Sequence, residues 1–352
     1  MQRTANQQRT TNLDHQSRQF IGRVLRWGAV LTALIVLALA VLGTGQSVDT
    51  ILSIFATRFL GIFIEAIPFL LLGAVVSGLI DAFVTPDDIA HFVPRNPFLA
   101  TIAGAFLGFA FPVCECGVVP VVRRLFNKGL PMWVGITFLL AAPVVNPIVL
   151  VSTAVAFGFG PVLIGRFVFT ILVAVGVGLV FAFRARPQDI LQPRSLMPIM
   201  GGSGHPAATI IKRKPLLQGL VDALRAANTE FFEMGRYLII GSMLAATMQT
   251  FISQEVLLAL GKGPVISVIV MQLMAFVLSV CSTVDAFLAL AFVGTFTTGS
   301  IISFLTFGPM VDIKSTLMFM GVFQKRTVLY LILLPMLMTL LVGIWLNLNV
   351  VF

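Results

Sequence analysis

Residues 111–117 read Phe-Pro-Val-Cys-Glu-Cys-Gly, and residues 142–147 read Ala-Pro-Val-Val-Asn-Pro. A comparable pair follows later, where residues 278–285 read Leu-Ser-Val-Cys-Ser-Thr-Val-Asp and residues 308–312 read Gly-Pro-Met-Val-Asp. Each pair places thiol, carboxyl or amide groups and helix-breaking residues inside otherwise apolar sequence. Such interruptions at matching positions of two halves are typical of the site of a membrane transporter.

The composition predicts an all-α polytopic membrane protein. Of the 352 residues, 58% are hydrophobic and 11% are charged, and the mean hydropathy is +1.02. Apolar runs of about 20 residues recur, which suits membrane helices, whereas barrel strands would alternate polar and apolar residues. The net charge of +9 does not indicate nucleic-acid binding, because the basic residues lie in loops beside the apolar runs. The lipid bilayer is therefore the expected partner.

An internal repeat divides the chain. Four pairs of residues keep their order and a spacing of about 167 residues: Glu65 and Glu233, Cys114 and Cys281, Pro143 and Pro309, and Asn146 and Asp312. This regularity predicts one membrane repeat over residues 48–186 and a second over residues 216–352. A transporter built from two such halves would hold its substrate where they meet.

The remaining segments are polar or stand outside the repeat. Residues 1–26 are rich in arginine and predict a cytoplasmic basic tail, followed by a signal-anchor helix over residues 27–47. Residues 187–215 contain proline, glycine and basic residues and predict a cytoplasmic linker between the halves.

The distribution of basic residues predicts how the halves are oriented. Arg123, Arg124 and Lys128 follow one interrupted segment, and Lys325 and Arg326 follow another. All basic clusters fall on the cytoplasmic side if Pro97–Phe126 and Pro264–Thr297 are re-entrant hairpins instead of full crossings. The two halves are then inverted structural repeats, with seven full spans and two hairpins. The alternative is eight to ten plain spans.

Thiols and polar groups at the interruptions are the candidate substrate ligands. Thiols favour soft metals and metalloids, and a Cys-x-Cys pair at a helix break can direct both sulfurs into a cavity. Proline removes a backbone hydrogen bond, so a neighbouring side-chain oxygen can cap the freed amides or contact substrate. The candidate substrate-binding residues are Cys114, Cys116, Cys281, Asn146 and Asp312, and the predicted helix breaks are Pro112, Gly117, Pro143, Pro147 and Pro309.

Ionisable residues inside apolar segments form a second candidate set, for coupling or for a polar core: Glu65, Glu115, Glu233, Arg236 and Asp285. Carboxylates in hydrocarbon are costly and usually face a cavity or a partner. Glu233 and Arg236 are three residues apart and can neutralise each other on one helical face, whereas Glu65 has Pro68 in place of Arg236 and is the better candidate for a proton or cation site. Glu115 can pair with Arg123 or Arg124, or take up a proton.

Enzymatic function is not indicated. The sequence has no HExxH, Walker A, GxSxG or dinucleotide fingerprint, and its three histidines fall in loops. No catalytic residue, no cofactor and no certain metal site is therefore predicted, although the three cysteines are candidate metalloid ligands.

Three features together resemble the predicted permease family that includes the ArsP-type organoarsenical efflux permeases. They are Cys-x-Cys-Gly-x-x-Pro at residues 114–120, the pair Arg123-Arg124, and the block at residues 142–147. The resemblance implies a multi-pass permease of the bacterial inner membrane. It also implies that Cys114, Cys116 and Cys281 bind a trivalent organoarsenical. The second half has Ser282 and Thr283 where the first has Glu115 and Cys116, so this thiol site would be asymmetric.

Two functions follow from these observations. The first is secondary transport, as efflux of a small solute, with a thiol-reactive metalloid as the most specific version. The second is a membrane redox or metal-handling protein that acts with a partner and does not transport, because a Cys-x-Cys pair suits thiol exchange. A homo-oligomer or an accessory membrane protein is compatible with either.

Overall fold

The computed structural model describes residues 48–94, 96–111, 113–184, 216–251 and 263–349. Within these ranges the chain is helical and contains no β-strand, which confirms the prediction of an all-α polytopic membrane protein. The predicted tail at residues 1–26, the signal-anchor helix at residues 27–47 and the linker at residues 187–215 lie outside the described residues.

The two halves contain a similar succession of helices, seven described in the first half and six in the second. The first half comprises α1 (Val48–Phe83), α2 (Pro86–Phe92), α3 (Pro97–Ala110), α4 (Glu115–Asn127), α5 (Met132–Val145), α6 (Pro147–Phe157) and α7 (Pro161–Arg184). The second half comprises α8 (Leu216–Phe251), α9 (Ile266–Leu278), α10 (Asp285–Leu290), α11 (Thr298–Met310), α12 (Ile313–Val322) and α13 (Lys325–Asn349).

The long helices α1 and α8 correspond to each other and pack in opposite directions. Each contains 36 residues. The end of α1 lies against the start of α8, where Gly78 contacts the backbone of Ala223. Near the other end, the guanidinium of Arg58 donates a hydrogen bond to the carbonyl of Gln249. Antiparallel packing of equivalent helices is the arrangement that an inverted repeat requires.

In the first half, α3 and α4 enter and leave at the same end of the molecule. Helices α3 and α5 run in the same direction, because Gly104 packs on Val134 and Gly108 packs on Ala142. Helix α4 returns between them in sequence, and Phe126 at its end meets Gly135 near the start of α5. With 13 residues, α4 is about 20 Å long, which is less than the ~30 Å hydrocarbon core. The segment has the geometry of a re-entrant hairpin.

The second half repeats this arrangement. Helices α9 and α11 are also parallel, because the Ser267 hydroxyl lies 2.9 Å from the Ser300 hydroxyl and Ala275 packs on Gly308. After α10 the chain returns toward the start of α11, where the Phe292 ring packs edge-on against Phe304. Helix α9 and the residues up to Thr297 therefore form a second hairpin.

Each hairpin lies beside a broken helix. Asn146 separates α5 from α6, and Val311 and Asp312 separate α11 from α12. Pro147 begins α6, whereas Pro143 and Pro309 lie inside α5 and α11, within three residues of each break.

Three of the predicted helix breaks lie inside a helix, each within three residues of the actual interruption: Gly117, Pro143 and Pro309. Gly117 lies inside the first turn of α4, and the interruption in this hairpin is at residues 111–114. Pro112, also predicted to break a helix, lies outside the described residues.

Five of the described helical segments are long and apolar enough to span a membrane: Asp49–Phe83, Met132–Phe157, Pro161–Phe183, Thr298–Val322 and Lys325–Asn349. Two of these segments are the broken helices α5–α6 and α11–α12. Helix α8 is not among them, although it runs along α1, because Asp222, Arg225, Glu230, Glu233 and Arg236 lower its hydropathy.

Two glycines allow half-helices to approach the long helices closely. A Cβ atom at Gly73 of α1 would overlap the backbone of Gly117 in α4. A Cβ atom at Gly241 of α8 would lie 2.9 Å from the Cα of Lys314 in α12. The equivalent glycines thus place the first turns of α4 and α12 against the long helices, and this contact positions the charged residues of those turns.

We predict that Gly73→Ala destabilises the protein more than Gly61→Ala does. Both positions are in α1, but a Cβ atom at Gly61 meets nothing within 4 Å, whereas at Gly73 it would meet backbone that no side-chain rotation can move. Overpacking of this kind costs about 1–3 kcal/mol. Thermal unfolding of the purified chain in detergent measures the difference. Equal midpoints for the two variants would show that the close crossing is not required.

Candidate functional site

The hairpin break in the first half brings two thiols and a carboxylate to the start of α4. Cys114 occupies the N-cap position in an extended conformation, and its carbonyl accepts hydrogen bonds from the amides of Gly117 and Val118. Glu115 and Cys116 follow in the first turn, and all three side chains are buried. Helix α4 can begin here because Phe111 ends α3, which frees the chain to turn back.

The break in the second half uses a different backbone device. Ser279 adopts a left-handed conformation, with a φ of 48°, and ends α9. Its hydroxyl accepts a hydrogen bond of 3.2 Å from the amide of Ile313, the first residue of α12. The hairpin break and the broken helix are therefore joined directly in this half. Cys281 follows in the interruption and is also buried.

A buried ion cluster links the two halves at these breaks. The Lys314 Nζ atom lies 3.6 Å from Oε1 of Glu115 and 3.6 Å from Oδ2 of Asp312. The three side chains are between 2% and 3% exposed, so the cluster is shielded from bulk solvent. Glu115 comes from the first half, whereas Asp312 and Lys314 come from the second. We call these three residues the central cluster.

Two helix N-termini point at the central cluster. Helices α4 and α12 run side by side in the same direction, because Glu115 meets Lys314 at their starts and Phe126 packs on Phe323 at their ends. The N-terminal ends of helices have a partial positive charge, which stabilises the carboxylates of Glu115 and Asp312 and disfavours the ammonium of Lys314. The two carboxylates therefore make this position tolerable for the lysine.

The thiols lie around the central cluster. Cys116 is hydrogen-bonded to Cys114 and is within electrostatic reach of Lys314, as is Cys281. Thr283 donates a hydrogen bond of 3.4 Å to the sulfur of Cys281. All three cysteines are free thiols. Among the described residues, no three His, Cys, Asp or Glu side chains are close enough together to hold a metal ion.

Asn146 and Asp312 have equivalent capping roles. The Asn146 side chain accepts a hydrogen bond of 2.9 Å from the amide of Ile148 at the start of α6. The Asp312 carboxylate accepts a hydrogen bond of 2.6 Å from the amide of Ser315 in α12. The Ser315 hydroxyl accepts a second hydrogen bond from the amide of Asp312. Both side chains are buried, so each cap satisfies amides that membrane depth would otherwise leave without a partner.

A second buried ion pair joins the halves on the other side of the breaks. Arg166 of α7 binds Asp285 through two hydrogen bonds, of 2.9 Å and 2.7 Å. The same guanidinium donates to the hydroxyl of Thr153 at 2.7 Å. The Arg166 side chain is fully buried and that of Asp285 is 3% exposed. Helices α6 and α10 meet at this point, where the Ser152 hydroxyl donates to the carbonyl of Thr283.

A third ionic network lies near the end of α4. Arg123 lies 2.9 Å from Glu233 and 3.5 Å from Glu230 in α8. Arg124 lies 3.2 Å from Glu230 and 3.5 Å from Asp81. Both arginines and Glu230 are buried. The contacts with Glu230 and Glu233 again connect cations of the first half with anions of the second, whereas Asp81 belongs to the first half, and the network covers the end of the molecule where α4 and α12 terminate.

Two of the predicted charge pairings are wrong. Glu115 binds Lys314, not Arg123 or Arg124, because both arginines are a further two turns along α4 and face α8. Glu233 binds Arg123, and no ion pair between Glu233 and Arg236 occurs among the described residues. A partner on a neighbouring helix replaces the local one in both cases.

The structure brings together five predicted residues: Cys114, Cys116, Cys281, Glu115 and Asp312. Glu65 is half-buried in the middle of α1, within electrostatic reach of Glu115 and Cys281. Glu233 and Asp285 belong to the other two networks. Arg166 was missed, although a single arginine inside the apolar run at residues 161–183 is itself an indication of a buried partner.

Comparison with known proteins identifies related permeases. A family model named ArsP_1 and described as a predicted permease matches residues 51–348. The UPF0718 protein YcgR of Bacillus subtilis is 45% identical over 275 residues, which cover 78% of this chain and 90% of that protein. A Streptococcus mutans protein is 39% identical over 276 residues, covering 77% of this chain and 87% of its own length. Its name describes a two-component membrane permease complex subunit. No solved structure matches the chain.

We predict that Asp285→Asn lowers stability strongly, because it leaves the Arg166 guanidinium buried without a counter-ion. Removing one partner of a buried pair costs about 3–5 kcal/mol. The double variant Arg166→Met with Asp285→Leu should recover most of the loss, since it removes both charges. Thermal unfolding in detergent is the measurement, with Asp81→Asn as the control, because the Asp81 side chain is 28% exposed. A double variant that is no more stable than Asp285→Asn would contradict the pairing argument.

Proposed function

The chain belongs to the predicted permease family, and from this premise we propose that it is a secondary transporter that exports a small solute across the bacterial inner membrane. The observation that supports this most strongly is the central cluster, in which charges from both halves meet at unwound segments. Charged groups inside a membrane usually mark a substrate or ion pathway, and broken helices form the sites of many transporters. The proposal includes a cytoplasmic N-terminus, as the arginine-rich start of the chain suggests.

The positions of the ionic contacts between the two halves support a mechanism of alternating access. Ionic contacts between halves lie at the centre, at the end where α4 and α12 terminate, and beside α6 and α10. A rocking motion of one half against the other would break one set of contacts while the opposite set stays closed. We therefore propose that the Arg123 and Arg166 networks close the two ends of the transport path, and that substrate binds between them.

The substrate that we propose is a trivalent organoarsenical. Cys114 and Cys116 are hydrogen-bonded to each other at the start of α4, beside the central cluster. A trivalent arsenic atom with one methyl group has two further bonds, so two thiolates complete its coordination, and a third ligand is not required. Thiols are suitable ligands for such a soft centre. Asn146 and Asp312, which cap the neighbouring half-helices, remain our candidates for polar contacts with the substrate.

An accessory membrane protein is the partner that we propose. One relative is named as a subunit of a two-component permease complex. A second component would be compatible with transport, and affinity purification of the tagged chain from its own membranes would test for a subunit present in a stable ratio. The alternative role in thiol exchange with a partner protein is less favoured, because all three thiols are buried and another protein could not reach them.

We predict that expression of this chain protects an arsenic-sensitive bacterial strain against methylarsenite. The variant Cys114→Ser with Cys116→Ser should lose this protection, because a hydroxyl is a poor ligand for trivalent arsenic. Cys281→Ser is the matched control, since this thiol is separate from the pair, and it should retain most of the protection. Growth at graded methylarsenite concentrations, with membrane levels of each variant compared by immunoblot, gives the result.

Equal sensitivity with and without the gene would end the arsenic proposal but not the assignment as a transporter. Protection that survives in the double-serine variant would remove these thiols from the mechanism. Uptake of methylarsenite into inverted membrane vesicles provides a direct check, because export from cells appears there as accumulation inside.

A further inference from the structure

The central cluster has more acidic than basic groups. The ammonium of Lys314 faces two buried carboxyl groups, and the half-buried Glu65 is within electrostatic reach of one of them. If Glu115, Asp312 and Glu65 were all ionised, their negative charges would exceed the single ammonium and the two partial positive charges of the helix ends, and the excess would lie inside the membrane, where it is costly. A site with this composition is stabilised when one carboxyl group takes up a positive ion.

The two buried carboxyl groups differ in what else they bind. Oδ1 of Asp312 accepts a hydrogen bond of 2.6 Å from the amide of Ser315, so this carboxyl group is held by its cap as well as by Lys314. Glu115 has no such contact with the amide of another residue: its Oε1 lies 3.6 Å from Lys314, and its Oε2, like Oδ2 of Asp312, has no hydrogen-bond partner among the residues that the structure describes. Protonation of Glu115 therefore costs fewer contacts than protonation of Asp312 does.

The surroundings favour a proton over a metal ion. Hard cations such as Na⁺ or Ca²⁺ require several oxygen ligands, whereas the side chains beside Glu115 include the thiols of Cys114, Cys116 and Cys281. In the described ranges, no group of three potential ligands has the spacing for a metal. A proton needs only the free Oε2 atom.

Accordingly, we propose that Glu115 is the carboxyl group that takes up and releases the coupling proton, and that Lys314 is the counter-ion that links this step to the contact between the halves. The inference rests on the proposed transport function and deepens it. The proton adds to Oε2 of Glu115 and converts the carboxylate to a neutral acid. The attraction between Glu115 and Lys314 is then lost, while Asp312, in the same half as Lys314, still neutralises the ammonium.

This division of roles has a mechanical consequence. The Glu115–Lys314 pair joins the first half to the second, whereas the Asp312–Lys314 pair lies within the second half. Protonation of Glu115 thus breaks the Glu115–Lys314 ion pair between the halves without leaving an unpaired charge in the membrane. Release of the proton restores the ion pair. The cycle gives the transporter a way to couple proton movement to the relative motion of its halves.

Other charged groups near α4 do not replace Glu115 in this role. Helix α5 has no titratable residue, and Glu65 is the titratable group of α1 near the cluster. At the far end of α4, Arg123 and Arg124 are bound to Asp81, Glu230 and Glu233. With Lys128, which lies 3.8 Å from Asp81, that network contains three cations against three carboxylates, and two of these carboxylates are 28% exposed and can be solvated.

Infrared difference spectroscopy of the full chain in lipid nanodiscs tests the proposal without any substrate. We expect a C=O stretching band of a buried, protonated carboxyl group that appears on acidification and disappears on return to alkaline buffer. Protein labelled with ¹³C-carboxyl glutamate should show this band at lower frequency, whereas ¹³C-carboxyl aspartate should leave it unchanged. Glu115→Gln should abolish the band, and Glu65→Gln and Asp312→Asn should retain it.

The role of Lys314 has a separate readout. Lys314→Gln should shift the pH midpoint of the band, because the neighbouring charge is removed, and Lys128→Gln at the end of α4 should leave the midpoint unchanged. The glutamate-labelled wild-type protein answers the main question even if a variant does not fold. The assignment to Glu115 is overturned if the band is absent, if it shifts with aspartate labelling, or if Glu115→Gln retains it.

Two further outcomes separate this inference from the transport proposal. Loss of the band when K⁺ is replaced by Na⁺ at constant pH would show that the site binds Na⁺, and would overturn the proton assignment. If the protein transports methylarsenite in vesicles but shows no such infrared band, the coupling role of Glu115 is refuted and the transport proposal stands. A titrating Glu115 in a protein that does not move methylarsenite would support the site and refute that substrate.

Discussion

The fold depends on placing one ammonium ion, that of Lys314, at a position where the backbone disfavours it. The residue is in the first turn of α12, beside the parallel first turn of α4, so that two positive helix ends surround it. Among the described residues, the carboxylates of Glu115 and Asp312 compensate for this, and each has an oxygen 3.6 Å from the Lys314 Nζ atom. The arrangement requires both hairpin breaks and the broken helix of the second half to meet at one place, which constrains many other elements.

Small residues and caps meet that requirement. Gly73 and Gly241 let the first turns of α4 and α12 approach the long helices closely enough for Glu115 and Lys314 to face each other. Asn146 and Asp312 satisfy the amides that the interruptions expose. In a bilayer these amides have no water to bind, so the caps are as necessary as the breaks themselves. The polar centre and the irregular backbone therefore depend on each other.

Much of this architecture could be predicted from the sequence because it leaves local traces. Apolar runs predict the helices, and the paired interruptions predict the repeat. The basic clusters that begin at residues 123 and 325 predict hairpins that return to the side of the membrane from which they entered. The partners of the buried charges could not be predicted from local sequence. Glu115 and Lys314 are far apart in the chain, and only three-dimensional packing selects Lys314 over the nearer Arg123. Spacing rules favoured Glu233 with Arg236 for the same reason, since they consider one helix at a time. Gly117 was interpreted as a break, but its lack of a side chain serves packing against Gly73.

The two halves are alike in backbone and complementary in charge. The first half supplies Arg123 and Arg166 to anions of the second, while the central contact is reversed, with Glu115 of the first half bound to Lys314 of the second. Each half alone would thus bury charges without partners, which is strongly unfavourable in a membrane. The ends are also unequal. The Arg166 pair is almost fully dry, whereas Glu233 beside Arg123 is 28% exposed and its ion pair is weakened by solvent. The contact between the halves is therefore drier on the Arg166 side than on the Arg123 side, although the two halves share one fold.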